Sequence, residues 1–215
     1  MKDTIIKLLK STERDGMDKL IDWLEVNGFF TSPASTKYHG CFEGGLASHS
    51  LGVFNLLLEF SRGTNLGAIS SPGQNPHILE EANLIIAALL HDVCKVGAYI
   101  GTEKPYKWNK QQPKGHATLS IKILEGFIVL EPIEELMIRF HMNIYGTHEW
   151  CADSKYEQGE FPLLGDHSDC DGLSKEESKA KRYGKSLRNA IYHNPIVAVM
   201  HYADNLATMR EKAKE

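Results

Sequence analysis

Leu84-Ile85-Ile86-Ala87-Ala88-Leu89-Leu90-His91-Asp92-Val93-Cys94-Lys95 is the stretch on which the fold turns. Its first seven residues form the longest apolar run in the chain, far short of the roughly 20 needed to span a bilayer. A helix from about Leu79 to Lys95, apolar nearly all round at its centre, belongs in the middle of a core. Gly97 suits its cap. The run ends on His91-Asp92, so an imidazole and a carboxylate are carried to a buried or cleft-lining helix end. A buried carboxylate is costly unless hydrogen bonds or a cation compensate it, and a helix C-terminus favours a cation. By itself the dipeptide says little, because a histidine hydrogen-bonded to an aspartate is an ordinary core pair.

Outward from this stretch, helical periodicity dominates. Ile5, Ile6, Leu8 and Leu9 open an amphipathic segment that Met17, Leu20, Ile21 and Leu24 continue until Asn27-Gly28 stops it. An irregular stretch from Thr31 to Gly45 precedes a second helix, roughly Leu46 to Phe60. Ser61 to Pro76 reads as a surface loop, and Tyr99 to Gly115 as a loop or short hairpin. Further helices are expected at about His116 to Leu130 and Ile133 to Met142, the latter started by Pro132. Gly146 to Lys175 is polar and irregular. A last helix runs from near Pro195, with Ile196, Val199, Met200, Ala203 and Leu206 inward. No segment alternates as a strand, so the expected class is all-α, a helical bundle with long irregular loops.

Composition narrows the function classes. Of 215 residues, 42% are hydrophobic and 24% charged, which suits a globular protein and argues against extensive disorder. The expectation is a single domain over 1–215, with a core of about 29–210 and an N-terminal helical segment, 1–28, packed on it. The N-terminus lacks a signal-peptide pattern, and Cys41, Cys94, Cys151 and Cys170 follow no disulfide framework, so a cytoplasmic protein with reduced thiols and no membrane partner is expected. A net charge of −4 speaks against a protein that tracks long nucleic acid. Ten histidines stand out, since histidine is seldom needed for packing and is the commonest metal ligand.

Five features beyond His91-Asp92 turn that surplus into a pattern. His49 lies in Gly44-Gly45-Leu46-Ala47-Ser48-His49-Ser50, where glycines let backbones approach closely. His116 opens a helix after Gly115, and His141 lies on the inner face of its helix in Arg139-Phe140-His141-Met142. Asp204 lies in His201-Tyr202-Ala203-Asp204 amid apolar residues. Lys95 follows His91 by four residues and Asp92 by three, so one helical face presents all three.

The order His, His-Asp, His, His, Asp resembles the HD phosphohydrolase superfamily over nearly the whole chain. Pro33 to Gly40, Gly44-Gly45-Leu46 with His49-Ser50, His91-Asp92-Val93-Cys94-Lys95 and Tyr183-Gly184-Lys185-Ser186 look like HD hydrolases of bacteria and phages. The Gly-Gly-Leu…His-Ser element is similar to the HD domain of bacterial 3′→5′ exoribonucleases. The resemblance implies that His49, His91, Asp92 and Asp204 hold one divalent metal ion. Asp92 then bridges to a second, completed by His116 and His141. Where some two-metal relatives have a histidine pair at His141, Met142 follows here, implying a more weakly held second ion. Manganese, iron, nickel, cobalt and magnesium all fit such donors.

Two cations against two aspartates leave a positive surplus suited to phosphate esters, which they polarise while activating a water. The expected substrate is a nucleotide or short single-stranded oligonucleotide. Asp92 and Lys95 are the expected catalytic residues, Lys95 as a point charge beside a phosphoryl oxygen. On spacing alone Lys95 reads equally well as a helix-terminal lysine facing water. Lys37 and His39, before the His49 helix, and Tyr183 and Lys185, in the basic segment Lys179 to Arg188, are candidate substrate contacts, although a solvated charge run is the plainer reading of that segment. Arg139 reads as a surface ion-pair residue and Cys94 as a small buried hydrophobe. His148-x-x-Cys151 and His167-x-x-Cys170 are reminiscent of a structural zinc site but depart from Cys-x-x-Cys spacing. Two other functions share the scaffold: a mixed-valent di-iron oxygenase, which the same six ligands would serve, and a non-catalytic nucleotide-binding sensor, which would predict a lost ligand.

Overall fold

A computed structural model describes residues 1–64, 79–101, 104–113, 115–142 and 186–213. The described chain is helical apart from one two-stranded ribbon, as the periodicity predicts. Residues 65–78, much of the expected surface loop, and 143–185, including the zinc-like pairs, lie outside the described residues.

The N-terminal amphipathic segment forms two helices, α1 (Lys2–Lys10) and α2 (Met17–Val26). Each is anchored by apolar residues at helical spacing: Ile5 and Leu9 in α1, and Met17, Leu20, Ile21 and Leu24 in α2. The break falls where Glu13 and Gly16 take positive φ, at 50° and 85°. Gly16 lies so close to the Phe127 carbonyl that a Cβ there would collide with it.

Helix α3 (Gly45–Thr64) runs one residue earlier and four later than its apolar pattern suggests. Its start is wedged against the preceding loop, where a Cβ at Gly45 would strike the Gly40 carbonyl. The close approach expected of the glycines is therefore present. Helix α4 (Glu81–Leu90) begins with a capping box between Glu80 and Asn83 and is buried continuously from Asn83 to Leu90. It is the core helix, with α1, α3 and the later helix Pro132–Phe140 packed against it.

The expected continuation of this helix to Lys95 is not observed. Helix α4 stops at Leu90, His91 caps it, and a 3-10 turn spans Val93–Lys95. The Cys94 N–H, which an unbroken helix would give to Leu90, is donated to Ser120 Oγ at 3.2 Å. A partner on another helix therefore redirects the chain.

The expected short hairpin is present as β1 (Tyr99–Ile100) and β2 (Lys107–Trp108), antiparallel with Tyr99 opposite Trp108. Helix α5 (His116–Glu125) ends five residues before Leu130, where the chain turns at Gly126. Helix α6 (Pro132–Phe140) takes Pro132 in its first turn and ends with His141 as cap. A short helix, α7, covers 186–193. Helix α8 (Ile196–Lys212) buries Ile196, Val197, Met200, Ala203 and Ala207 against α3 and α6, whereas Val199 and Leu206 are only half-buried. None of the described helices is long and apolar enough to cross a membrane.

Candidate functional site

The ends of α4 and α6 arrive side by side, and each presents a capping histidine in the same way. His91 Nδ1 donates to the Ala88 carbonyl at 2.9 Å, and His141 Nδ1 donates to the Ile138 carbonyl at 2.6 Å. Each bond runs back three residues into its own helix and occupies a carbonyl that the helix end leaves open. It also fixes the tautomer: with hydrogen on Nδ1, Nε2 carries only a lone pair. Both rings are buried, and neither Nε2 has a hydrogen-bond partner among the described residues.

Those two lone pairs converge on Asp92. Asp92 Oδ2 lies 3.4 Å from His91 Nε2, and Oδ1 lies 3.6 Å from His141 Nε2 and 2.6 Å from His116 Nε2. Oδ1 is buried without an aligned hydrogen bond, so the His116 approach is a charge contact. From the first turn of α5, His116 also sets Nδ1 3.0 Å from Cys94 Sγ. The remaining ligand candidates sit where α3 crosses α8. His49 Nε2 is 2.9 Å from Asp204 Oδ1, and His91 Nε2 is 3.9 Å from the same oxygen. All six residues expected as metal ligands are thus gathered in one place.

The charges are strongly coupled. Burial would push the Asp92 carboxyl up, but Lys95, His91 and His116 hold it well below the usual carboxylate range. Asp204 is likewise held low by its hydrogen bond to His49 and the neighbouring rings, against burial. Burial opposes charge on His49 too, yet the bonds to Asp204 and Glu211 raise it to about 9. His116 is held well above its ordinary value by the Cys94 sulfur and Asp92. His141 goes the other way, to about 3, because burial and the neighbouring His91 ring disfavour a charge on it.

Three overlapping sets bring donor atoms within 4.8 Å of one another: His49, His91 and Asp92; His91, His141 and Asp204; and Asp92, His116 and His141. Donors bound at about 2.0–2.2 Å stand about 3–4.4 Å apart around one ion, so shifts of a few tenths of an ångström would bring these sets to metal spacing. The chemistry fits as well, with the Nε2 lone pairs of His91 and His141 set beside the Asp92 and Asp204 carboxylates. His91, Asp92 and His141 each belong to two of the three sets, and of these Asp92 alone has two oxygens to offer.

Lys95 is no surface lysine. Its side chain is 13% exposed and its ammonium contacts Asp92 Oδ2 at 2.6 Å, an approach made by the 3-10 turn instead of a helical face. Arg139, expected at the surface, is buried at 3% exposure and pairs with Glu135 at 2.7 Å. Its apolar stem is drawn inward with its helix while the guanidinium stays paired along α6. Cys94 is buried as expected but also contacts His116.

Of the expected substrate contacts, His39 reaches the site, its ring centroid 5.1 Å from that of His49. Burial and the His49 charge push it down to about 4, so it is neutral near pH 7. Lys37 is exposed and sits over the Tyr38 ring. Tyr183 and Lys185 lie outside the described residues, as do His148, Cys151, His167 and Cys170.

Glu211 was not anticipated. Its Oε1 accepts from His49 Nδ1 at 3.2 Å, the carboxylate–histidine arrangement that orients a ligand from behind. Its spacing, seven residues after Asp204 and hence two helical turns along the same face of α8, is the signal that could have found it.

A family model described as "HD domain" matches residues 46–209. No match was found among curated proteins or solved structures.

Proposed function

The chain belongs to the HD domain family of metal-dependent phosphohydrolases, and from that premise we propose that it cleaves phosphoester bonds of nucleotides or short single-stranded oligonucleotides. The observation that carries the reading is the pair of buried Nε2 lone pairs on His91 and His141, tautomer-locked by backbone carbonyls and facing Asp92 with no donor to receive from among the described residues. Buried acceptors in an ordinary core find donors. These face a carboxylate that cannot donate, so a Lewis acid is the partner that satisfies all of them.

In this reading His49, His91, Asp92 and Asp204 hold one divalent cation, and Asp92, His116 and His141 a second. Bound there, the cations supply Lewis acidity and a water acidic enough to attack phosphorus. Asp92 would contribute an oxygen to each set of donors. His91 and His141 keep their rings in place through Ala88 and Ile138. Glu211 holds the Nδ1 proton of His49 so that Nε2 is the ligating atom. The Lys95 ammonium exchanges its Asp92 contact for a phosphoryl oxygen, whose charge it offsets. His39 offers an uncharged ring N–H to the same group. The net charge of −4 favours small substrates over long polynucleotides.

The test is phosphate release from nucleoside mono- and triphosphates, cyclic nucleotides and short single strands with manganese present, alongside the metal content of freshly purified protein. Asp92→Ala should lose both bound metal and activity. Metal-dependent turnover retained in that variant refutes the assignment. Oxygen consumption without phosphate release from any ester returns the di-iron reading.

A further inference from the structure

The site shares two residues with a cavity of about 360 Å³ that its chemistry leaves unused. Lys95 and His116 line this cavity together with Tyr99 and Trp108 of the hairpin, Gln112 and Leu119. We infer that this cavity is a nucleobase subsite, with the Tyr99–Trp108 pair as its stacking platform.

Three observations support a built platform. Tyr99 and Trp108 are cross-strand partners packed edge to face, centroids 5.7 Å apart and planes at 75°, so each ring limits the other's movement. The hairpin is pinned where it meets the site: Tyr99 Oη donates to the Ala34 carbonyl at 3.2 Å, Asn109 Nδ2 to Gly97 at 3.0 Å, and Gln112 Nε2 to Cys94 at 2.7 Å. Yet Trp108 leaves 49% of its surface exposed. A two-stranded ribbon is too small to need a half-exposed indole for its own core. An indole held rigid in a cavity that the Lys95 ammonium also lines is suited to stack a flat ring.

The occupant follows from the two walls taken together. Lys95 and His116 sit at the phosphate end, and the aromatic pair calls for a planar heterocycle in the same molecule. A nucleotide carries both. The volume lies at the low end of small-molecule pockets, about 300–1,000 Å³, matching one nucleoside and not a duplex. Exposed Lys107 and Lys110 on the same hairpin add positive charge for an anionic ligand. The choice of a nucleotide rests on the phosphohydrolase reading; recognition of the base does not.

Equilibrium binding separates the two. With a chelator present so that nothing is turned over, the full chain should bind adenosine 5′-monophosphate about tenfold more tightly than ribose 5-phosphate. Trp108→Ala and Trp108→Leu should erase that preference while leaving ribose 5-phosphate binding unchanged, and Trp108→Phe should retain most of it. The leucine variant keeps apolar bulk on the hairpin, so its result reads stacking and not folding. Equal affinity for the two ligands in the unaltered chain, or equal weakening of both in Trp108→Leu, overturns the subsite. A base preference without any phosphoester turnover would refute the proposed reaction and leave this inference standing.

Discussion

Helix α4 carries a buried polar cluster at each end, and the two are built on opposite terms. At its start, the Glu134 carboxylate accepts two bonds from Arg14, at 2.7 and 3.1 Å, one from Asn83 at 3.0 Å and one from the Glu131 N–H at 2.8 Å. Charges and donors are matched, and the cluster ties the turn after α1 to α4 and α6. At its end, about 12 Å away by helical rise, the histidine–aspartate cluster leaves His91 Nε2, His141 Nε2 and Asp92 Oδ1 buried without hydrogen bonds among the described residues. The first cluster is complete as folded. The second is complete only with something bound, which separates a structural charge network from a functional one better than burial or charge does.

Breaking the saturated cluster should have the largest effect on stability and little on metal. Glu134→Ala removes the buried carboxylate that Arg14 and Asn83 share, leaving Arg14 only the Val129 carbonyl and Glu131, and Asn83 only Glu131; breaking such a buried pair costs about 3–5 kcal/mol. At roughly 2–4 °C per kcal/mol for a chain of this size, the melting temperature should fall by several degrees to about 20 °C. Metal content should not change; if it does, the two ends of α4 are coupled.

The unsaturated cluster should betray itself through pH. His49 is held at about 9 when folded against an ordinary value of 6.5, so its contribution is fully present below 6.5 and lost as pH rises through 9. His116 acts in the same direction, while His39 and His141, at about 4 and about 3, act below 6.5. Thermal melts of metal-free protein should therefore show stability falling from pH 6.5 to 9, by about 3 kcal/mol from His49. Manganese should flatten or reverse the slope, because ligating imidazoles must be neutral. A slope that metal leaves untouched would mean the cluster is merely structural.

Two smaller changes probe the division of labour within it. Lys95→Ala should lower turnover about a hundredfold with metal content intact, the loss typical of one donor to developing charge. An unchanged rate would make Lys95 only the counter-charge of Asp92. Glu211→Ala should weaken metal binding by about 10–100-fold, measured by titration with manganese. Unaltered affinity would show that His49 needs no support from behind.

Much of this was legible in the chain itself. The apolar run from Leu84 to Leu90 marked the core helix, and the recurrence of His and Asp at apolar helix positions marked residues that converge in space. Both signals are local: helical period decides which residues face inward, and burial of a titratable group demands compensation wherever it occurs. Features that depend on contact between distant segments were not legible. The stop of α4 at Leu90 comes from Ser120 Oγ taking the Cys94 N–H, 26 residues away. The burial of Arg139, the support of His49 by Glu211 and the meeting of Lys95 with Tyr99 and Trp108 arise the same way.

The sequence by itself determined which side chains enter the core and what chemistry they bring, because a periodicity of 3.6 and the price of a buried charge act residue by residue. Only the tertiary structure decided which histidine nitrogens remain without a donor and which aromatic wall stands beside Lys95. Those outcomes depend on where helix ends and a hairpin come to rest against one another, and no neighbouring residue encodes that.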